Sequence, residues 1–579
     1  MKGKQWILAA MAAAALVMPL SSYAAAAPQA SPAAVTQKAQ VPAPAYADST
    51  LQPTRYGLLQ GAQEGDDFVW RGVPYGQAER WKTPENPSSW TGVRDALKTG
   101  PMGTQETAKG VKGVESCLNL DIFRPATKEQ NLPVLYFIHG GNNQNGAADQ
   151  VNLSQFAKRA NVVAVSINYR LGALGYNPLP AVHHGTKVES SGNYGFLDAL
   201  QGLDWVKENI ANFGGNPDNI TVSGFSSGGR DVMALLISPE AKGKFQKAIS
   251  FSGGMTTSDP SWAIGIYAKA FAPLVVADGV KPNKKEAIAW LKKDTPEVAK
   301  YLNGLQAERI ATAFGHAGIR MAAFPHLFTD GTVLPKDGFK TKKWNEVPLI
   351  MTTGTDEFSL YTRINPYFAP SVKDKTVFTD EKKYAEFTFS KKYGSEMYRL
   401  FNAEASAEQM LDRYKAPIYT MTIAYGNNPE LVGPETAFLS GSVHGIWIPF
   451  VTGYATSTTA SYPKGSFDNP GALDLTRKVQ QYIGNFMWDG NPNGQGLPTW
   501  NQWTSTKTGP SNLVVNADGE KANIQMTDTR SSYDEVFKEM EADKTVDKKD
   551  KEAIIHNVLN GRWWSKPLDQ HFGTKTKQR

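Results

Sequence analysis

Within "TVSGFSSGGR" (221–230), two adjacent serines sit among glycines, and their spacing separates them chemically. In Gly-x-Ser-x-Gly the glycines let a strand turn sharply into a helix and lift one serine hydroxyl clear of the sheet. Gly224, Ser226 and Gly228 satisfy that spacing, whereas Phe225 stands where Ser227 would need its first glycine. Ser226 is therefore the candidate nucleophile, and Ser227 offers its backbone N–H. A serine hydroxyl is a weak nucleophile, so a histidine must take its proton and a carboxylate must orient that histidine. In this strand-turn-helix setting the chain order is serine, acid, histidine. Of eight histidines, His316, His326, His444, His556 and His571 follow Ser226. The tetrahedral oxyanion formed by attack also needs preorganised N–H donors.

Elements that would position these groups are legible on either side. "LPVLYFIH" (132–139) and "NVVAVSINY" (161–169) are short apolar runs suited to strands buried on both faces of a mostly parallel sheet. Phe196, Leu200, Leu203, Val206 and Ile210 recur at helical spacing, and "NITVSG" (219–224) reads as the strand entering the turn, with a helix from Ser227 to Ile237 leaving it. "KAISFSGG" (247–254) and "VPLIMTTGT" (347–355) read as later strands. Strands alternating with helices give an α/β class with a central, mostly parallel sheet flanked by helices. Regions 258–345 and 362–435 carry helical patterns expected to cover the sheet's catalytic edge. "DEVFKEMEADKTVDKKDKEA" (534–553) reads as an exposed helix with solvated charges.

The 579 residues carry 61 Lys+Arg against 55 Asp+Glu, a net charge of +6 spread along the chain, which argues against a nucleic-acid surface. Lys2 and Lys4 precede an apolar run from Ile7 to Leu20 and small residues through Ser22-Tyr23-Ala24. This is the layout of a secretory signal, too short for a membrane span, with cleavage expected near Ala24 or Ala26. No cysteine follows that run, so no lipid anchor is expected there, and no further long apolar segment stands out. Residues 27–50 are an Ala/Pro-rich lead-in, and 51–579 read as one domain with a charged C-terminal extension. The chain is thus expected to be exported, to the periplasm or beyond. The single cysteine, Cys117, cannot form an intrachain disulfide and reads as a buried, inert thiol. The "HHG" pair at 183–185 reads as surface, so no metal is expected, and no phosphate-cradling loop points to a cofactor.

At this point the chain, from about residue 55 to 505, resembles the type-B carboxylesterases, an α/β-hydrolase family that includes cholinesterases and p-nitrobenzyl esterases. "RGVPYG" (71–76), "RWKTP" (80–84), "ESCLNLDIF" (115–123), "INYRLGALGY" (167–176), "GNYGFLDALQGLDWVKENIANFGGNPDNITVSGFSSGG" (192–229) and "FMWDGNPNGQGLPTW" (486–500) match its blocks in order. The resemblance implies an α/β-hydrolase fold with helical insertions over the active site. It carries the base onto His444, in "SGSVHGIWIPF", and the orienting acid onto Glu357, in "MTTGTDEFSLY", with Asp356 as the rival. It carries the oxyanion donors onto Gly141 and Asn142, in "HGGNNQNG" (139–146), beside Ser227. Several positions depart from the family pattern. Asn142 and Asn143 replace a glycine and an aromatic, Phe225 a glutamate and Phe358 a glycine. Ile446-Trp447 stands where many relatives carry a carboxylate, and "TGPMGTQ" (99–105) lacks the cysteine usually paired with Cys117.

The implied activity is hydrolysis of a small-molecule carboxylic ester through an acyl-enzyme on Ser226. Two alternatives stand beside it: a catalytically impaired binding or adhesion protein of the same fold, and a hydrolase of another acyl class such as a thioester, amide or phenolic ester. A triad does not discriminate among acyl substrates.

Overall fold

The computed structural model describes residues 49–315, 323–454, 456, 459–504, 511–528 and 531–574. The expected signal segment, all but the end of the lead-in, and His316 lie outside the described residues. One eleven-stranded sheet runs through the molecule. Its strands in chain order are β1 (Ala62–Glu64), β2 (Asp67–Pro74), β3 (Asn119–Pro125), β4 (Leu132–Ile138), β5 (Val163–Ile167), β6 (Gly215–Phe225), β7 (Lys247–Phe251), β8 (Leu349–Gly354), β9 (Ile418–Ile423), β10 (Asn512–Ala517) and β11 (Ala522–Thr527). Across the sheet they lie in the order β11-β10-β9-β8-β7-β6-β4-β5-β3-β2-β1. From β5 to β10 every neighbouring pair is parallel. The antiparallel pairs lie at the two margins. Strands β4, β5, β7, β8 and β9 are buried along their whole length, because helices cover both faces.

The helices that matter for the site are α1 (Tyr194–Asn209), α2 (Ser227–Leu235), α3 (Pro260–Ala277), α4 (Glu381–Arg399), α5 (Pro470–Asp489), α6 (Tyr533–Ala542), α7 (Lys548–Ile554) and α8 (Lys566–His571). Helix α1 is locked to the segment after β5 by a buried ion pair. Arg170 meets Asp198 through Nε at 2.8 Å and Nη2 at 2.7 Å, and its backbone N–H donates to the same carboxylate at 3.0 Å. Two glycines of the surrounding motifs are required by that packing. A Cβ on Gly175 or Gly195 would lie 2.1 or 2.5 Å from the Arg170 carbonyl oxygen.

Three expectations need correction. Region 362–435 is not all helical, since β9 lies inside it and completes the parallel core. Helix α3 is long and apolar enough to cross a membrane by length and composition, where no such segment stood out in the sequence. One face of it, through Tyr267, Phe271 and Val275, is buried in the core. Residues 534–553 are not one solvated helix. They form most of α6 and of α7 with a break between, and Val536, Phe537 and Met540, with Ile554 just beyond, are buried. These side chains join Phe358, Phe387, Met397 and Trp564 in a hydrophobic cluster separate from the two cores that flank the sheet. The charges are real, but apolar residues at i, i+1 and i+4 among them give α6 a buried face.

Candidate active site

Ser226 sits at the end of β6, at the start of α2, with φ 57° and ψ −113°, a backbone state that side-chain-bearing residues rarely adopt. The neighbouring glycines permit the turn. A Cβ on Gly224 would lie 2.3 Å from the Gly228 backbone, and one on Gly228 2.1 Å from the Ile138 carbonyl oxygen. The strain therefore aims one hydroxyl out of the sheet edge. The second serine, Ser227, is buried in the first turn of α2.

The Ser226 Oγ lies 2.9 Å from His444 Nε2, and His444 Nδ1 is hydrogen-bonded to Glu357 Oε2. An ionised carboxylate only accepts, so Nδ1 carries the proton and Nε2 is left to accept from the serine hydroxyl. Glu357 is fully buried, and its other oxygen accepts from the Ser252 hydroxyl at 2.6 Å, the Gly354 N–H at 2.7 Å and the Thr353 hydroxyl at 3.3 Å. Aromatic rings hold the imidazole plane. Phe225 lies 4.8 Å away on ring centroids, Tyr398 stacks at 5.4 Å, and Tyr361 is tilted at 5.7 Å.

Asp356, the rival acid, faces elsewhere. It accepts from the Ser442 N–H at 3.0 Å and the Asn427 amide at 2.7 Å, and it pairs with Lys391 at 3.1 Å. Its own N–H donates to the Ser442 carbonyl at 3.1 Å. Asp356 thus ties the end of β8 to the loop that carries His444.

The turn after β4 supplies the other side of the site. Gly141, Asn142 and Asn143 have φ of 114°, 58° and 55° in succession. Glycine and asparagine tolerate that region best, which accounts for the asparagines on this path. Among the described residues, no protein acceptor takes the N–H of Gly141, Asn142 or Ser227. Asn143, which the sequence marked only as a departure from the family pattern, anchors the turn. Its amide donates to Asp231 Oδ1 at 2.9 Å and to the Tyr176 hydroxyl at 3.1 Å, and its oxygen accepts from the Tyr169 hydroxyl at 2.9 Å. His139, at the base of the turn, is buried and stacked on Tyr169, and burial lowers its pKa to about 4, so it is neutral.

The Asn142 side chain does not lie free. Its oxygen accepts from Arg230 Nη2 at 3.0 Å and from the Trp563 indole at 3.1 Å, and its amide donates to Gln144 at 3.1 Å. Trp563 belongs to the C-terminal segment, which therefore reaches the oxyanion turn. Next to it Trp564 packs edge-on against Phe358 at 5.3 Å, and Arg562 lies over the Phe358 and Tyr361 rings. Phe358, following Glu357, fills the space beside Gly394, where a Cβ would lie 2.1 Å from its ring. Sequence reasoning missed Ser252, Tyr361, Tyr398, Arg230 and Trp563, and gave Asn143 no role. Only the strained Ser252, in "SFSGG" after a strand, carried a local signal.

Cys117 is buried and burial pushes its thiol well above the ordinary range, as expected of an inert cysteine. His183 is bonded to the Asn177 carbonyl and His184 pairs with Asp294, and no cluster able to hold a metal occurs among the described residues.

Comparison with known proteins gives a match to the carboxylesterase family over residues 48–415. The chain is 32% identical to a para-nitrobenzyl esterase of Bacillus subtilis over 321 residues, covering 53% of this chain and 63% of that one. It is 30% identical to the medium-chain fatty acyl-CoA hydrolase precursor of Anas platyrhynchos over 523 residues, covering 78% of this chain and 86% of that one. A solved Geobacillus stearothermophilus carboxylesterase superposes with a TM-score of 0.62 at 25% identity, over 82% of this chain and 98% of that structure.

Proposed function

The chain belongs to the carboxylesterase family and is an ester hydrolase, and from that premise we propose that it works through an acyl-enzyme on Ser226. Ser226 Oγ attacks the ester carbonyl as its proton passes to His444 Nε2. The N–H groups of Gly141, Asn142 and Ser227 receive the oxyanion. Collapse breaks the bond to the alcohol oxygen, which leaves with the proton from His444. Water, deprotonated by His444, then attacks the acyl-Ser226 ester, and collapse breaks the bond to Ser226 Oγ, which takes the proton back from His444 as the carboxylic acid leaves. Glu357 holds the imidazole in the tautomer that this cycle requires.

The observation that supports this reading is one continuous hydrogen-bond chain, Ser226 to His444 to Glu357, beside three uncommitted N–H groups. The test is hydrolysis of p-nitrophenyl acetate and butyrate by the purified protein beside Ser226→Ala and Ser227→Ala. Loss of a triad serine costs on the order of 10⁶ in turnover, so Ser226→Ala should abolish the reaction while Ser227→Ala retains it. A folded wild type no faster than Ser226→Ala on these esters, on thioesters and on amides would leave the binding-protein reading in front. We also propose that residues 1–26 direct export and are removed, with 27–50 as a lead-in to the catalytic domain. N-terminal sequencing of the protein recovered outside the cytoplasm tests that.

A further inference from the structure

Arg230 lies four residues after Ser226, in the first turns of α2, and is only 4% exposed. Its Nη2 donates to the Asn142 oxygen at 3.0 Å, and its guanidinium lies 4.6 Å from the centre of the Trp563 ring. Its Nη1 is buried with no protein acceptor. Among the described residues no carboxylate comes within ion-pair distance of it. The adjacent Asp231 is turned to the Asn143 amide instead. Burying a guanidinium without a counter-charge is costly, and evolution ordinarily answers that cost with a carboxylate. Asp231 feels the Arg230 charge without pairing with it, and the other neighbours are neutral. His326, edge-on to Trp563 at 5.0 Å, has its pKa held well below normal by burial and by the Arg230 charge, and Tyr176, Tyr361 and Tyr398 are held protonated by burial. One desolvated positive charge thus stands beside the turn proposed to receive the oxyanion, with one arm of its fork engaged and the other free.

We propose that Arg230 is a specificity residue that binds a carboxylate carried by the ester substrate, so that monoanionic esters are the preferred substrates. The guanidinium fork suits a planar carboxylate, and the missing counter-charge then arrives with the substrate. Asn142 couples the two events, since one residue offers its N–H to the oxyanion and its side-chain oxygen to Arg230. The inference rests on the acyl-enzyme reading above.

Two matched pairs test it by pH-stat titration at neutral pH. Monoethyl adipate against ethyl hexanoate places the carboxylate on the acyl side, and 4-acetoxybutyrate against butyl acetate places it on the alcohol side. Wild type should favour the anionic member of at least one pair by tenfold or more in kcat/KM. Arg230→Met should bring that ratio to about one or below, with Arg230→Lys between. A purely structural role for Arg230 would lower both members together and leave the ratio unmoved, which overturns the proposal. So does a wild type that prefers the neutral member of both pairs, a result that needs no variant to fold. If folded wild type hydrolyses none of the four, the ester-hydrolase reading fails separately. Calorimetry of adipate with Ser226→Ala and Ser226→Ala/Arg230→Met then decides the subsite: heat lost with Arg230 supports it, and no heat from Ser226→Ala overturns it.

Discussion

Asp231 is a buried carboxylate that the proposed chemistry does not use, and it should set part of the protein's pH response. Desolvation raises its pKa to about 7, against the lowering effects of the Asn143 hydrogen bond and the Arg230 charge. A folded-state pKa above the unfolded value means the native protein holds a proton there that the unfolded chain has released. Stability therefore falls as pH rises from about 4 to 7, by an amount on the order of a few kcal/mol at most. Asp231→Asn keeps an acceptor for Asn143 and carries no charge. Its Tm advantage over wild type should be near zero at pH 4 and grow to a few degrees by pH 8. An advantage of equal size at both pH values would remove the explanation. At this scale the sequence was readable where a local rule applied. The glycine spacing singled out Ser226, and positive φ suits asparagine at 142. It gave no role to Asn143, Tyr169, Tyr176 and Asp231, because their network joins three separate segments and exists only after folding.

Among the elements, the loops leaving the C-terminal ends of β4, β6 and β8 bring the turn, the serine and the acid to one edge of the sheet, as open parallel sheets commonly do. The histidine comes on a longer loop after β9, and Asp356 is what fastens that loop. Adjacent carboxylates thus divide two tasks, and their amide variants should separate them. Glu357→Gln removes the charge that orients the imidazole, and kcat should fall by on the order of 10³–10⁴ with little change in Tm. Asp356→Asn should cost much less in kcat and act mainly on stability, because it weakens the Lys391 pair and the acceptor for Ser442. Equal kcat losses in both would mean that the loop, not the acid, limits turnover. The parallel strands β4 to β8 were legible because burial on both faces writes them as mainly apolar runs, whereas β9, Ile418–Ile423, is equally buried but broken by threonines and was not read as a strand. Strand β11 was not, since its edge position leaves it alternately polar.

For the whole molecule, the C-terminal segment is the part whose importance the sequence concealed. Its charge density reads as solvent exposure, yet its apolar residues close a third core over Phe358, Tyr361, Phe389, Tyr393 and Tyr398. Two of these, Tyr361 and Tyr398, also flank His444, so the same cluster that fastens the segment frames the imidazole. A stop after Asp528 leaves Ser226, Glu357 and His444 intact and removes every residue that covers that cluster from the C-terminal side. Uncovering five buried aromatic side chains at roughly 2 kcal/mol each approaches the ~5–15 kcal/mol that holds a typical domain folded. The truncated chain should therefore aggregate, or bind a hydrophobic dye and unfold without a cooperative transition, and show no esterase activity. A monomeric truncation product with the parent's Tm and kcat would mean that the segment only rests on the catalytic body. Trp563→Ala, which leaves the Trp564 anchor in place, distinguishes cover from scaffold: it should fold as the parent does and change kcat/KM through the contacts to Asn142, Arg230 and His326.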